Sequence, residues 1–273
     1  MSRGRALWAL LLCACARPAS APPPASGVSI LSPKIETLGP GRALLTAELS
    51  RGTSPIGRLA VFYAEPAAIR LDLVINQERR ALSQLGDDAL LVVNAGYFTK
   101  DWRPTGLLHV QGRTLSPLIK EGGAAGSGVV VVEGNEVRLV RRDVMAQQAL
   151  GAWTLAIQAG PRIIEPDGQP GIRSDDGARA NRTVLGRDSG GRLALAVTYG
   201  EDAGVTSGPT LYELQRLLGP EGLGAVGADL AFSSALNLDG GPSTGLHLNR
   251  AEGPVHWDEA GVVYSALLIR AAP

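Results

Sequence analysis

Leu59 to Tyr63 and Ile69 to Ile75 are short runs of apolar and β-branched residues, and Ile69-Arg70-Leu71-Asp72-Leu73 alternates strictly between apolar and charged positions. A period of two puts alternate side chains on opposite faces, so both runs read as strands. Gln77 to Leu85 carries helix formers with Ala81, Leu82 and Leu85 on one side, and Gly86-Asp87-Asp88 stops it, so a helix is expected there. A fully apolar strand, Ala89 to Val93, follows and ends abruptly in Asn94-Ala95-Gly96. Leu107 to Val110, Val129 to Val132 and Val137 to Val140 continue the strand pattern, the last two joined by the hairpin signal Glu133-Gly134-Asn135-Glu136. Trp153 to Gln158 and Leu193 to Thr198 add two more, each bounded by glycine. Leu211, Leu214, Leu217 and Leu218 share one face of a helix that Gly219-Pro220 ends. The sum is an α+β class, a strand-rich mixed sheet domain with two or three helices.

At 273 residues, one core is the default. With 45% hydrophobic and 19% charged residues the chain is globular, not disordered. Lys plus Arg (26) equals Asp plus Glu (26), which leaves no basic excess for a nucleic acid backbone.

Residues 1–21 have the parts of an export signal: Arg3 and Arg5, an apolar core from Leu7 to Ala14, and the small residues Ala19-Ser20-Ala21. Leu12-Cys13-Ala14-Cys15 also resembles a bacterial lipobox, so a lipoprotein held in the envelope through Cys15 and a soluble secreted protein are both open. Residues 22–33, rich in Pro and Ser, read as an extended tether, and residues 34–273 as the folded domain. Both cysteines sit in the leader, which removes disulfides and thiolate chemistry from the domain.

Two segments share one arrangement, an apolar strand that delivers a small polar residue to a glycine turn: Leu91-Val92-Val93-Asn94-Ala95-Gly96-Tyr97-Phe98 and Leu236-Asn237-Leu238-Asp239-Gly240-Gly241. Strand ends of this kind project side chains from a rigid edge into a crevice. Taken alone, Asp-Gly-Gly between apolar runs is more often the signature of a simple hairpin turn. Gly241-Pro242-Ser243-Thr244-Gly245 matches a nucleophile elbow, but Gly245-Leu246-His247-Leu248 reads as a strand where that elbow needs a helix. His109, His247 and His256 lack metal-ligand spacing, and no metal or cofactor is expected. Thr210-Leu211-Tyr212-Glu213 has the form of a capping box, which gives Glu213 a structural job, and the sequon Asn181-Arg182-Thr183 reads as accidental.

Four ordered motifs resemble the phosphodiester glycosidase family. They are Asn94-Ala95-Gly96-Tyr97-Phe98 with Pro104-Thr105-Gly106-Leu107, then Gln158-Ala159-Gly160-Pro161-Arg162, then Arg182-Thr183-Val184-Leu185-Gly186, then Leu236 to Ser243. The match spans about residues 60 to 270. Between Gly219 and Ser234 the chain is longer than the family's usual link, an insertion expected at the pocket rim.

The resemblance implies hydrolysis of a sugar-1-phosphodiester on the sugar side, with a sugar phosphodiester or phosphorylated glycan as the partner. It implies Asp239 as the carboxylate at the anomeric carbon, with Arg182 and Asn94 also catalytic and Arg162 a second guanidinium for phosphate. It also implies substrate contacts from Gly96, Tyr97, Gln158, Gly160, Thr183, Gly240, Gly241 and Ser243, the N–H groups of Gly240 and Gly241 forming an anion nest. Asp101 is a weaker candidate for a second carboxylate. A non-catalytic envelope module that binds phosphorylated glycans is the alternative.

Overall fold

The period-two runs build three sheets in a computed structural model that describes residues 27–148, 151, 153–200 and 207–272. The largest has seven strands, in the spatial order Val28–Gly39, Arg42–Arg51, Ser54–Ala64, Leu193–Tyr199, Arg182–Asp188, Phe232–Asn237 and Arg162–Ile164. A five-stranded sheet is ordered Val255–Trp257, Leu246–Leu248, Leu91–Asn94, Ser265–Ala271 and Ile69–Ile75. A second one is ordered Arg113–Ser116, Leu108–Val110, Leu155–Ala159, Gly128–Glu133 and Glu136–Arg141. The α+β class holds. The strand pairings are antiparallel, however, where a mixed sheet was expected. Tight hairpins such as the one through Gly134 (φ +58°) deliver antiparallel neighbours, whereas a parallel pair needs a long crossover.

One core lies between the three sheets, combining Phe62, Leu185, Leu195 and Leu236 with Val93, Leu246 and Leu267 and with Val130, Leu155 and Ile157. Strands that are apolar on both faces then need a second cover. Leu45, Leu59, Val61 and Val184 pack on Leu214, Leu217 and Leu218 of the helix Leu211–Leu218. Its capping box forms as read: the Thr210 hydroxyl accepts from Glu213 N at 3.2 Å, and Glu213 Oε2 accepts from Thr210 N at 2.9 Å. The same carboxylate receives Arg51 at 2.7 and 2.9 Å, so Glu213 is committed to structure.

Three expectations are corrected. The helix from Gln77 to Leu85 does not form, and only Leu82–Gln84 makes a 3-10 turn. Asn76 donates to Arg80 O at 2.7 Å and accepts from Arg80 N at 2.9 Å, taking the backbone groups a helix would use, and Arg79 turns to φ +55°. The tether does not reach residue 33, because the strand Val28–Gly39 begins inside it. Val28 is buried, and Ile30 packs on the same cluster. Pro33 falls at a register shift between Leu31 and Lys34 on an edge strand, where the missing N–H costs no ladder bond. The insertion after Gly219 buries Leu223 and Leu230 behind the large sheet, at the start of the strand Phe232–Asn237 and away from Asp239 beyond its end. The leader and lipobox lie outside the described residues. Among the described residues no helix is long and apolar enough to cross a membrane.

Candidate active site

Asn94 ends a buried strand of one sheet and reaches across to the other. Its Nδ2 donates to Asp239 O at 2.6 Å, and its Oδ1 accepts from the Thr183 hydroxyl at 2.6 Å. Gly245 N approaches the same Oδ1 at 3.4 Å. Asp239 N donates in turn to Ala95 O at 3.0 Å, and Leu238 N to Thr183 O at 2.8 Å. Three sequence-distant motifs thus meet at one sheet-to-sheet junction. Asn94 and Thr183 are both fully buried, and their polar groups satisfy each other there.

The Asp239 carboxylate projects from this anchored backbone. Burial pushes its pKa above the ordinary carboxylate value, while the Ser243 hydroxyl and the Gly240 N–H, at 2.8 Å from Oδ1, favour the charged form. Tyr97 stands beside it. Its hydroxyl donates to Gly160 O at 2.5 Å and accepts from Asn237 Nδ2 at 2.8 Å. Burial, then the field of Asp239, raises the phenol to about 12, opposed by Asn237 and by Arg182, so Tyr97 senses both charged groups. Arg182 is half-buried and donates through Nη2 to Ala178 O at 2.8 Å, while its buried Nε has no partner. Burial lowers its pKa, against the fields of Tyr97 and Asp176. It forms no ion pair among the described residues, so the guanidinium keeps donors free for an anion.

The expected residues divide sharply. Asn94, Tyr97, Gly160, Arg182, Thr183, Asp239, Gly240 and Ser243 come together. Gly96 contributes by its small size, since a Cβ there would sit 2.9 Å from Ile157 Cγ2. Gln158 does not line the site. Its Oε1 accepts from Leu107 N and Ile119 N at 3.0 and 2.9 Å, and its Nε2 donates to Ile119 O and Gly126 O, both at 2.8 Å, which exhausts the amide. Arg162 is also spoken for. It makes a bidentate pair with Glu165 at 2.7 and 2.9 Å and bonds Ser127 O, so its charge is already neutralised. The anion nest does not form, because the Gly240 N–H serves Asp239 itself and the Gly241 N–H goes to Asn181 O at 2.8 Å. Asp101 is exposed on the loop beyond Tyr97.

Ser243 closes a 3-10 turn, Gly241–Ser243, that leads into the strand Leu246–Leu248, and His247 pairs with His256, Nδ1 to Nδ1, at 2.9 Å. The elbow reading therefore has neither its helix nor a histidine for Ser243. The sequon asparagine, Asn181, is buried and accepts from Gly200 N at 2.7 Å. Among the described residues no three His, Cys, Asp or Glu side chains group as a metal site. Sequence reasoning missed Asn237, which orients the Tyr97 hydroxyl. Its signal was its place in the alternation Leu236-Asn237-Leu238-Asp239, where Asn237 shares a face with Asp239.

Residues 87–268 match the phosphodiester glycosidase family. The chain belongs to that family. Three solved structures share the fold at low identity. One is the catalytic domain of zebrafish N-acetylglucosamine-1-phosphodiester alpha-N-acetylglucosaminidase, auto-inhibited by its pro-peptide (TM-score 0.59, 14% identity, 88% of this chain and 87% of that one). A hypothetical protein from Synechocystis aligns at TM-score 0.57 and 16% identity over 92% of this chain, which spans 64% of that protein's length. A protein from Burkholderia pseudomallei aligns at TM-score 0.57 and 13% identity, over 89% of this chain and 97% of that one. A search of curated proteins finds no significant match. In this glycosidase-family chain three of the four ordered motifs build the Asn94–Asp239–Thr183 junction.

Proposed function

We propose that the chain hydrolyses a sugar-1-phosphodiester on the sugar side, releasing the free sugar and a phosphomonoester. Cleavage of the C1–O bond leaves the electron pair on the phosphate oxygen, and water supplies the hydroxyl to C1 and a proton to bulk or phosphate. The observation that carries this reading is the pairing of one anchored, half-buried carboxylate with one guanidinium that has no acid partner. The transition state is oxocarbenium-like, so a carboxylate at the anomeric carbon stabilises it as nucleophile, base or electrostatic partner. Asp239 takes that role. An ordinary glycosidase needs a second carboxyl group to protonate an alkoxide, but a phosphate leaves as a stable anion and needs charge neutralisation instead. Arg182 supplies it, and the Tyr97 hydroxyl, held neutral, offers a further polar contact.

Export forms part of the same proposal, resting on the pattern of residues 1–21, with a lipid on Cys15 as one route to the envelope. The test is turnover of a panel of sugar-1-phosphodiesters by the full chain beside Asp239→Asn. We expect hydrolysis of at least one member, reduced at least about 10³-fold by the variant. Silence of the wild type on every member, or equal turnover by the variant, refutes it. Binding without hydrolysis that survives the substitution would favour a glycan-binding module.

A further inference from the structure

Glu259 belongs to none of the motifs, yet it packs against the turn that carries Asp239. Its Oε1 accepts from Leu82 N at 2.8 Å, which ties the loop after Trp257 to the 3-10 turn Leu82–Gln84. Its Oε2 is buried with no partner. Glu259 N and Oε2 each lie 3.2 Å from where a Cβ on Gly245 would stand, so the loop rests directly on that glycine. Gly245 is also the residue whose N–H faces Asn94 Oδ1. The same loop touches the turn a second time, where Gly261 N donates to Pro242 O at 2.9 Å, and Tyr199 steadies it by donating to Asp258 O at 2.9 Å.

We propose that Glu259 is a positioning residue, holding the Asp239–Gly245 turn from its outer side while Asn94 holds it from within. A merely solvated acid would keep both oxygens wet, whereas here one is bonded and the other is dry, which costs free energy unless something else uses the arrangement. Burial pushes the carboxyl's pKa upward and the Asp258 charge adds to the shift, while the backbone N–H of Leu82 opposes it. Asp239 is fixed at one end by Asn94 and Ala95, and the turn beyond it is held at Gly241 by Asn181 O and at Gly245 by the Glu259 loop. Arg182 and Tyr97 have independent anchors at Ala178 O and Gly160 O. Loosening Glu259 therefore displaces the carboxylate and leaves the phosphate grip intact.

The rate consequence rests on the phosphodiester glycosidase reading, but the positioning does not, so two readouts are taken on the full chain. Amide exchange should quicken about tenfold or more at Gly241, Thr244 and Gly245 in Glu259→Ala, with Leu91–Asn94 unchanged, and should stay near wild type in Glu259→Gln. Turnover on the panel should show kcat down about 30- to 100-fold in Glu259→Ala with KM within about twofold, and should recover in Glu259→Gln. Unchanged exchange in Glu259→Ala overturns the proposal whatever the activity, and so does a loss of rate that appears in KM alone. A silent wild type with quickened exchange retires the hydrolase and upholds the positioning. Should Glu259→Ala fail to fold, Glu259→Asp, which shortens the reach by one methylene, must quicken the same amides or the proposal fails.

Discussion

Replacing Asn94 with alanine removes a side chain that joins two of the sheets at the site. Two hydrogen bonds of 2.6 Å disappear, and each contributes about 1 kcal/mol net. The Thr183 hydroxyl, fully buried, then loses its acceptor, and leaving a buried polar group unpaired costs about 1–3 kcal/mol more. The expected destabilisation is about 3–5 kcal/mol, which at a urea slope of about 3 kcal/mol/M moves the midpoint by about 1–1.7 M with the slope unchanged. Tryptophan fluorescence during urea unfolding measures it. Thr183→Val tests the accounting, because both substitutions break the same bond and the double variant should fall short of additivity by about 1 kcal/mol. A loss below about 0.5 kcal/mol in Asn94→Ala, or full additivity in the cycle, would show that the clamp bears no load and that the junction is held by apolar packing and its backbone hydrogen bonds.

Three further outcomes follow from the same geometry. Because folding raises the Asp239 pKa, the folded state retains a proton that the unfolded chain has released, so stability falls as pH rises from the ordinary carboxylate value through the raised one. Asp239→Asn should accordingly match or exceed the wild-type melting temperature at neutral pH and lose that advantage in acid, which paired thermal melts will read. Gln158→Ala strips four hydrogen bonds from a buried amide and should cost about 2–4 kcal/mol, with KM within about threefold of wild type, as urea titration and steady-state kinetics can check. Arg182→Gln should raise KM about tenfold or more, while Arg162→Gln leaves it near wild type and lowers stability by about 1–3 kcal/mol; the reverse order would restore Arg162 to the phosphate site.

Much of the sheet architecture was legible because burial on one or both faces writes itself as alternation or as an apolar run. Ile69–Ile75 and Leu91–Asn94 carry that signature plainly. The stretch after Asn76 was not legible, since an asparagine side chain that folds back on Arg80 overrides helix propensity and leaves no trace in periodicity. The first strand hid behind Pro33, which an edge position tolerates. At the site, residue types pointed to Asp239 and Arg182, but type alone could not separate Arg182 from Arg162. What separates them is Glu165, three residues along, which occupies one guanidinium and not the other. Gln158 misled for the same reason, because its four partners lie 32 to 51 residues away in the chain.

The Asn94 clamp spans 145 residues to Asp239 and 89 to Thr183. No contiguous fragment shorter than that span can assemble the site, so a proteolytic piece or a half-translated chain would hold the acidic residue without its geometry. Contacts of such long range close late in folding, after the loop-closure entropy has been overcome. Under the proposed hydrolysis, turnover would report complete sheet docking, because the acid meets its partners only when the last and longest connection has been made.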